Sequence, residues 1–161
     1  MADKLYFYSG SKKVPAGRGK NEVVTSTYDL PLDFRQQLSN FYSGRKFPYN
    51  GRWYRSIENA FQATKFARAG YPEIARKFED EHDWSTGEQA RANRKAVNLP
   101  KEFFSDWNQM EVLADIAHSY YQSEEACEFL RKTKNAELWH VVPRGKPVRF
   151  TFLEEIRSRL Q

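Results

Sequence analysis

The sequence of 161 residues predicts an α+β fold: a predominantly helical single domain, residues 1–161, carrying a small β-sheet and a hairpin. Three observations predict it. Most of the chain after residue 56 reads as amphipathic or apolar helical stretches separated by Gly, Pro and Ser. An Asn-Gly pair lies between two short aromatic runs, as a tight hairpin requires. Aromatic, strand-like runs stand near both ends of the chain, at 4–8 and in the stretch ELWHVV.

Taken in order, LYFYS leads into SKKVPAGRGKNE, a loop punctuated by proline and glycine. The segment from Tyr28 to Gln37, with Pro31 near its start, predicts a short helix or turn leading into Leu38-Ser39-Asn40-Phe41. FPYNGRWY predicts the hairpin, because Asn50 and Gly51 both tolerate positive φ. Ser56 stands where a helix N-cap belongs, ahead of IENAFQATKFARA. Gly70 ends that helix and Pro72 opens the next. Further helices are predicted over 72–80, 87–96, 106–121 and 123–132, and FTFLEEIRSRL predicts a closing amphipathic helix. Trp84 and Trp107 read as core or helix-packing residues.

Composition excludes more than it assigns. With 40% hydrophobic and 16% aromatic residues the chain is too apolar to be disordered. No uncharged apolar run approaches the ~20 residues of a membrane helix, and no signal peptide is evident, so no membrane role is expected. A lone Cys127 forms no internal disulfide, which fits a reducing, cytoplasmic setting. His82, His118 and His140 are far apart in sequence, so no metal site and no cofactor is expected. A net charge of +5 suits a phosphorylated ligand or nucleic acid, and equally an ordinary solvated surface.

One helix stands out. An α-helix advances ~100° per residue, so Glu58, Gln62 and Lys65 share a single narrow stripe. Ile57, Ala60, Phe61, Ala63, Thr64, Phe66 and Ala67 fill the rest of the circumference, and a helix so apolar should be buried. The stripe then admits two readings. Either it faces a slice of solvent, with Glu58 favouring the helix N-terminus, or it holds a carboxylate and an amine in a partly dry pocket. In the second case desolvation lowers the lysine pKa and leaves a neutral, nucleophilic amine.

Leu38-Ser39-Asn40-Phe41, the hairpin ending at Tyr54, and Glu58-Asn59-Ala60-Phe61-Gln62-Ala63-Thr64-Lys65-Phe66 resemble the signature of the NADAR (YbiA-like) family, an SNF motif followed by an E-H-x-[YF]-Q-A-x-K-F helix. Asn59 replaces the usual histidine. The run Phe7-Tyr8-Ser9 with Pro15 to Glu22 is similar to the FYS…PGKGxxE start of the longer, virus- and eukaryote-type members. Thr133 to His140, followed by Arg144-Gly145, is similar to their TKDAKLVHFVRG segment. The D-x-x-W-G loop of the shorter bacterial members is replaced here by Val142 to Pro147. The likeness spans nearly the whole chain and is weakest over about 70–105.

The resemblance implies an N-glycosidase that removes ADP-ribose from ADP-ribosylated guanine, in a nucleotide or in nucleic acid, with an ADP-ribosyltransferase as its functional counterpart. It assigns Lys65 as the nucleophile that forms a Schiff base with the sugar, Glu58 as the proton-transfer group, and Gln62 as a partner of a ribose hydroxyl or of Glu58. Gly17, Arg18, Gly19 and Lys20 read either as an ordinary loop or as backbone donors to a diphosphate, with Glu22 bracing them. Ser39 and Asn40 read as a turn or as pocket wall, and Phe41 as a core ring or a base-stacking one. His140 reads as a structural strand residue or a ligand contact, and Arg144 as a surface charge or a phosphate clamp. Two other functions remain in view: cleavage of a phosphoribosylamino-pyrimidine of riboflavin metabolism, and non-catalytic ADP-ribose binding.

Overall fold

A computed structural model describes residues 2–160. In chain order its elements are β1 (Lys4–Phe7), α1 (Phe34–Leu38), β2 (Phe47–Tyr49), β3 (Arg52–Tyr54), α2 (Ile57–Arg68), α3 (Pro72–Arg76), α4 (Gly87–Ala92), α5 (Lys101–Ser105), α6 (Gln109–Tyr120), α7 (Glu124–Arg131), β4 (Glu137–His140), β5 (Val148–Arg149) and α8 (Thr151–Ser158). The fold is α+β, with helices predominant and two small sheets. The chain divides into two compact units, one of residues 1–39 with 121–161, the other of residues 40–120.

The first unit is built on a three-stranded mixed sheet in the order β1-β4-β5. β1 and β4 run parallel, from Lys4 opposite Glu137 to Phe7 opposite His140, and β5 returns antiparallel with Val148 opposite His140. Leu5, Phe7 and Leu138 point into a core closed by Phe34, Leu38, Leu130, Phe150, Leu153 and Ile156. Asp3 ties the loop after residue 22 to the start of β1. Its carboxylate accepts from the Tyr28 hydroxyl at 2.7 Å, from the Thr25 N–H and hydroxyl, and from the Ser26 N–H. Those donors, the Tyr28 hydroxyl first, hold the Asp3 carboxyl well below the ordinary carboxylate range.

The second unit is built around α2. Asn50 and Gly51 adopt φ of 50° and 75°, closing the expected hairpin with Phe47 opposite Tyr54. The Ser56 hydroxyl accepts the Asn59 N–H at 3.1 Å, so the predicted N-cap is present. Gly70, at φ 91°, lets the chain turn out of α2 ahead of Pro72. Phe66 stacks on Phe78, and Phe47 meets Tyr120 edge-on, joining α2, the hairpin and α6 into one core.

Several expected boundaries shift. The helix expected over 72–80 stops at Arg76, because the following residues turn to bring Trp84 N–H onto the Lys77 carbonyl. The one expected over 87–96 ends at Ala92, and the one expected over 106–121 starts at Gln109, where the Asn108 side chain accepts the Glu111 N–H. α5 and β5 carry too few residues to show a period, and the sequence did not announce them.

Candidate active site

The residues of α2 explain how a polar stripe comes to lie in an apolar helix. Ile57, Ala60, Ala63 and Phe66 are buried, which fixes the rotation of the helix and leaves Glu58, Gln62 and Lys65 together on the remaining side. Asn59 fixes its start. Fully buried, it takes the place of the histidine in the motif and donates through Nδ2 to the Phe78 and Trp84 carbonyls at 3.0 and 2.7 Å. The Asn40 carbonyl accepts the Glu58 N–H at 2.9 Å. That bond satisfies one of the orphan donors of the first turn and ties the Asn40-Phe41 turn to the start of α2.

The stripe is not bathed in solvent. Glu58 is 9% exposed and Gln62 3%, and Lys65 is half-buried. Gln62 donates through Nε2 to Glu58 Oε2 at 2.8 Å, and its own Oε1 is buried without a partner. Lys65 Nζ donates to the Arg94 carbonyl at 2.8 Å. Burial pushes the Glu58 carboxyl up, against the Gln62 hydrogen bond and the charges of Lys65, Arg94 and Arg91, which act the other way. Burial pushes the Lys65 amine down, assisted by Arg94 and opposed by Glu58. For both groups desolvation outweighs attraction, so burial favours the protonated acid and the unprotonated amine more than water does. A neutral amine keeps its lone pair while still donating one N–H to the Arg94 carbonyl.

Two residues the sequence reading missed complete the surroundings. Arg91 and Arg94, both exposed, bring positive charge to Glu58, and the Arg91 guanidinium lies over the half-buried Phe41 ring at 5.5 Å. α4 carries Arg91, and it abuts the Phe41 turn so closely that a Cβ on Gly87 would meet the Phe41 carbonyl oxygen at 2.0 Å. The Ser43 hydroxyl accepts the Gly87 N–H at 2.8 Å. A signal was present: Thr86-Gly87-Glu88-Gln89 forms a full capping box, and such a start projects Arg91 one turn later. Two surface clefts reach α2 through Arg68, one of them also through Thr64 and Ala67, and neither is lined by Glu58, Gln62 or Lys65.

The remaining expected site residues belong to the first unit, except Asn40 and Phe41. Ser39 is buried and caps α1, its N–H reaching the Gln36 carbonyl. Glu22 braces the glycine loop as expected, accepting from Gly17 N–H and Tyr6 N–H at 3.0 Å each and from the Arg35 guanidinium. One expectation about that loop is corrected. The Gly17 N–H is committed to Glu22 and the Arg18 N–H to the Pro15 carbonyl, so those two donors do not face an anion. Any cradle must come from the rest of Gly19-Lys20 and from the Arg18 side chain. His140 stacks on Phe150 at 5.0 Å between centroids and lies near Phe7, and burial lowers its pKa, so it is a neutral ring in an aromatic cluster. Arg144 is exposed in a turn at φ 60°.

Among the described residues no His, Cys, Asp and Glu group has the makings of a metal site. No helix among them is long and apolar enough to cross a membrane. Family models and curated proteins give no match to the sequence. A solved structure does. The NMR structure of the E. coli protein YbiA superposes with a TM-score of 0.57 at 23% identity, covering 91% of this chain and 92% of that one. The chain has a YbiA-like fold. That likeness concerns the backbone, and the chemistry rests on the side chains above.

Proposed function

We propose that this protein is an N-glycosidase that releases ADP-ribose from ADP-ribosylated guanine, with Lys65 as nucleophile and Glu58 as acid. The observation that carries the proposal is the placement of Glu58, bonded by Gln62 at 2.8 Å, and Lys65 on one largely buried face of α2, where the same burial moves the carboxyl up and the amine down. A purely binding surface needs neither an acid nor an amine nucleophile. The NADAR-like motifs and the YbiA-like fold support the same reading.

The chemistry uses the protonated form of Glu58 and the unprotonated form of Lys65, the forms that burial favours. The Lys65 lone pair attacks the anomeric carbon, and the bond from that carbon to the guanine nitrogen breaks, its electron pair leaving with the base. Glu58 delivers its proton to that nitrogen. The attacking nitrogen's proton passes to the ring oxygen as the bond between that oxygen and the anomeric carbon breaks, giving an imine between Lys65 and the opened sugar. The Glu58 carboxylate then takes a proton from the water that hydrolyses the imine, releasing ADP-ribose and restoring the amine and the acid. Arg91 and Arg94 hold a diphosphate electrostatically while Phe41 supports the guanidinium of Arg91.

Incubation with ADP-ribosylated guanosine and sodium borohydride tests this. The expected result is turnover without reductant and, with it, a covalent ADP-ribose adduct on Lys65. Lys65→Ala is expected to lose both. Turnover surviving in Lys65→Ala, or active protein that never traps, sinks the mechanism.

A further inference from the structure

Phe61 lies three residues after Glu58 and four before Lys65, so it flanks their stripe on α2. The Trp107 ring packs on it at 5.5 Å between centroids. Upstream, the Arg94 carbonyl is held by Lys65 Nζ. The segment from 94 to 107 is therefore pinned at both ends on the face that carries the candidate nucleophile, and it arches between those pins. In its middle lies α5, which buries none of its five residues although two of them are Phe103 and Phe104. Phe104 is 48% exposed, meets Phe103 edge-on at 5.1 Å, and Phe103 in turn lies 5.4 Å from Trp107. The Arg68 guanidinium sits over the Trp107 ring at 5.6 Å.

The exposed Phe104, beside the half-buried Phe103 and Trp107, leaves apolar ring surface unused by the fold. The Arg68 guanidinium over the Trp107 ring sets a cation at their edge, which suits a planar ligand carrying phosphate better than an apolar peptide. We propose that the exposed ring of Phe104, braced edge-on by Phe103 and through it by Trp107, is the stacking platform for the nucleobase of the substrate. This rests on the N-glycosidase reading: the base is joined to the carbon that Lys65 attacks by the single bond that breaks, so it must lie beside Lys65, where the arch is anchored. The platform holds the departing base flat while Glu58 protonates it, and stacking makes it tolerant of what the base is attached to, whether a free nucleotide or a strand.

The test uses Phe104, whose exposure makes its replacement mild for the fold. Stacking of one base on one ring is worth enough that Phe104→Ala should raise KM for ADP-ribosylated guanosine by roughly tenfold, with kcat within about twofold. Phe104→Tyr should retain the parent KM, and Phe104→Leu, which keeps apolar bulk but loses the ring, should behave as Phe104→Ala. In parallel, guanosine monophosphate should quench tryptophan fluorescence of the inactive Lys65→Ala protein, with affinity lowered by Phe104→Ala. Equal KM for Phe104→Ala, Phe104→Leu and the parent protein would overturn the platform. Should no substrate turn over, the N-glycosidase reading fails separately: guanosine monophosphate binding that depends on the Phe104 ring still supports the platform, and binding indifferent to it overturns it.

Discussion

Gln62 Nε2 donates to Glu58 Oε2 at 2.8 Å across one turn of α2, and this leaves Gln62 Oε1 buried with no partner. The amide is thus committed at one end and orphaned at the other. A buried acceptor left without a donor costs about 1–3 kcal/mol, so the arrangement is poor for stability and its value lies in what it does to Glu58.

Gln62→Leu isolates that effect. It removes the donor that favours ionised Glu58, so the carboxyl pKa rises further than burial alone already raises it. The alkaline limb of the rate profile should move to higher pH, because Glu58 keeps its proton longer. Stability should change little, within about 1 kcal/mol, since the orphan acceptor disappears with the hydrogen bond. Activity against pH, with denaturant unfolding of the same variant, checks both halves. An unmoved alkaline limb would mean that Gln62 does not govern Glu58.

The Glu22–Arg35 pair should behave oppositely. Both side chains are almost wholly buried, and the carboxylate also accepts the Tyr6 and Gly17 N–H groups. Removing one partner strands a buried charge, which typically costs about 3–5 kcal/mol. Glu22→Leu and Arg35→Met should each destabilise by that order, and the double variant by clearly less than their sum. Urea midpoints of the four proteins measure the coupling. Simple additivity would show that the pair does not act as a unit.

Gly87→Ala tests how α4 supports the site. The added Cβ would meet the Phe41 carbonyl oxygen at 2.0 Å, a distance no flexible side chain can relieve, so α4 or the Phe41 turn must shift. Overpacking of this kind costs about 1–3 kcal/mol or more. Because α4 carries Arg91, KM should rise several-fold as well. A crystal or calorimetric comparison with Ser43→Ala, which removes only the hydroxyl that accepts the Gly87 N–H, separates displacement from the lost hydrogen bond. Wild-type melting and KM in Gly87→Ala would contradict the packing account.

How much of this was legible in the sequence differs element by element. The hairpin and the Ser56 cap were readable because their determinants are local: Asn50-Gly51 and a serine two residues past Tyr54 act within one turn of chain. The stripe of Glu58, Gln62 and Lys65 followed from helical geometry alone, while the pattern left open whether it faced solvent or a dry pocket, which the burial of Glu58 and Gln62 answers. What escaped were residues whose role depends on distant partners. Arg91 and Arg94 gain meaning only when α4 is folded against Phe41, 50 residues away by Arg91's count. Asn59 looked like a departure from a motif, and it is a buried brace on carbonyls 19 and 25 residues along the chain. The Gly17 N–H looked available to an anion until the Glu22 carboxylate took it.

The sharpest consequence of the site concerns Glu58 and pH. A carboxyl whose pKa rises on folding contributes its stability below the unfolded value of about 4.3, and loses it as pH rises through the folded value. Above the unfolded value the raised pKa therefore works against the fold, and Glu58→Gln should melt higher than the parent protein there while the two converge in acid. Lys65 shifts the other way: its lowered pKa makes stability rise with pH through the folded value. For turnover the pair must carry a single proton between its two groups, so the parent rate should be bell-shaped, its limbs reporting the pair and not either residue. Glu58→Gln should lose about 10²–10⁴-fold in rate and, with no proton left to lose at position 58, should lose the alkaline limb while keeping the acid one. Melting curves and rates measured together across pH decide the matter, because a Glu58 that merely supports the helix would make Glu58→Gln less stable and leave the bell intact.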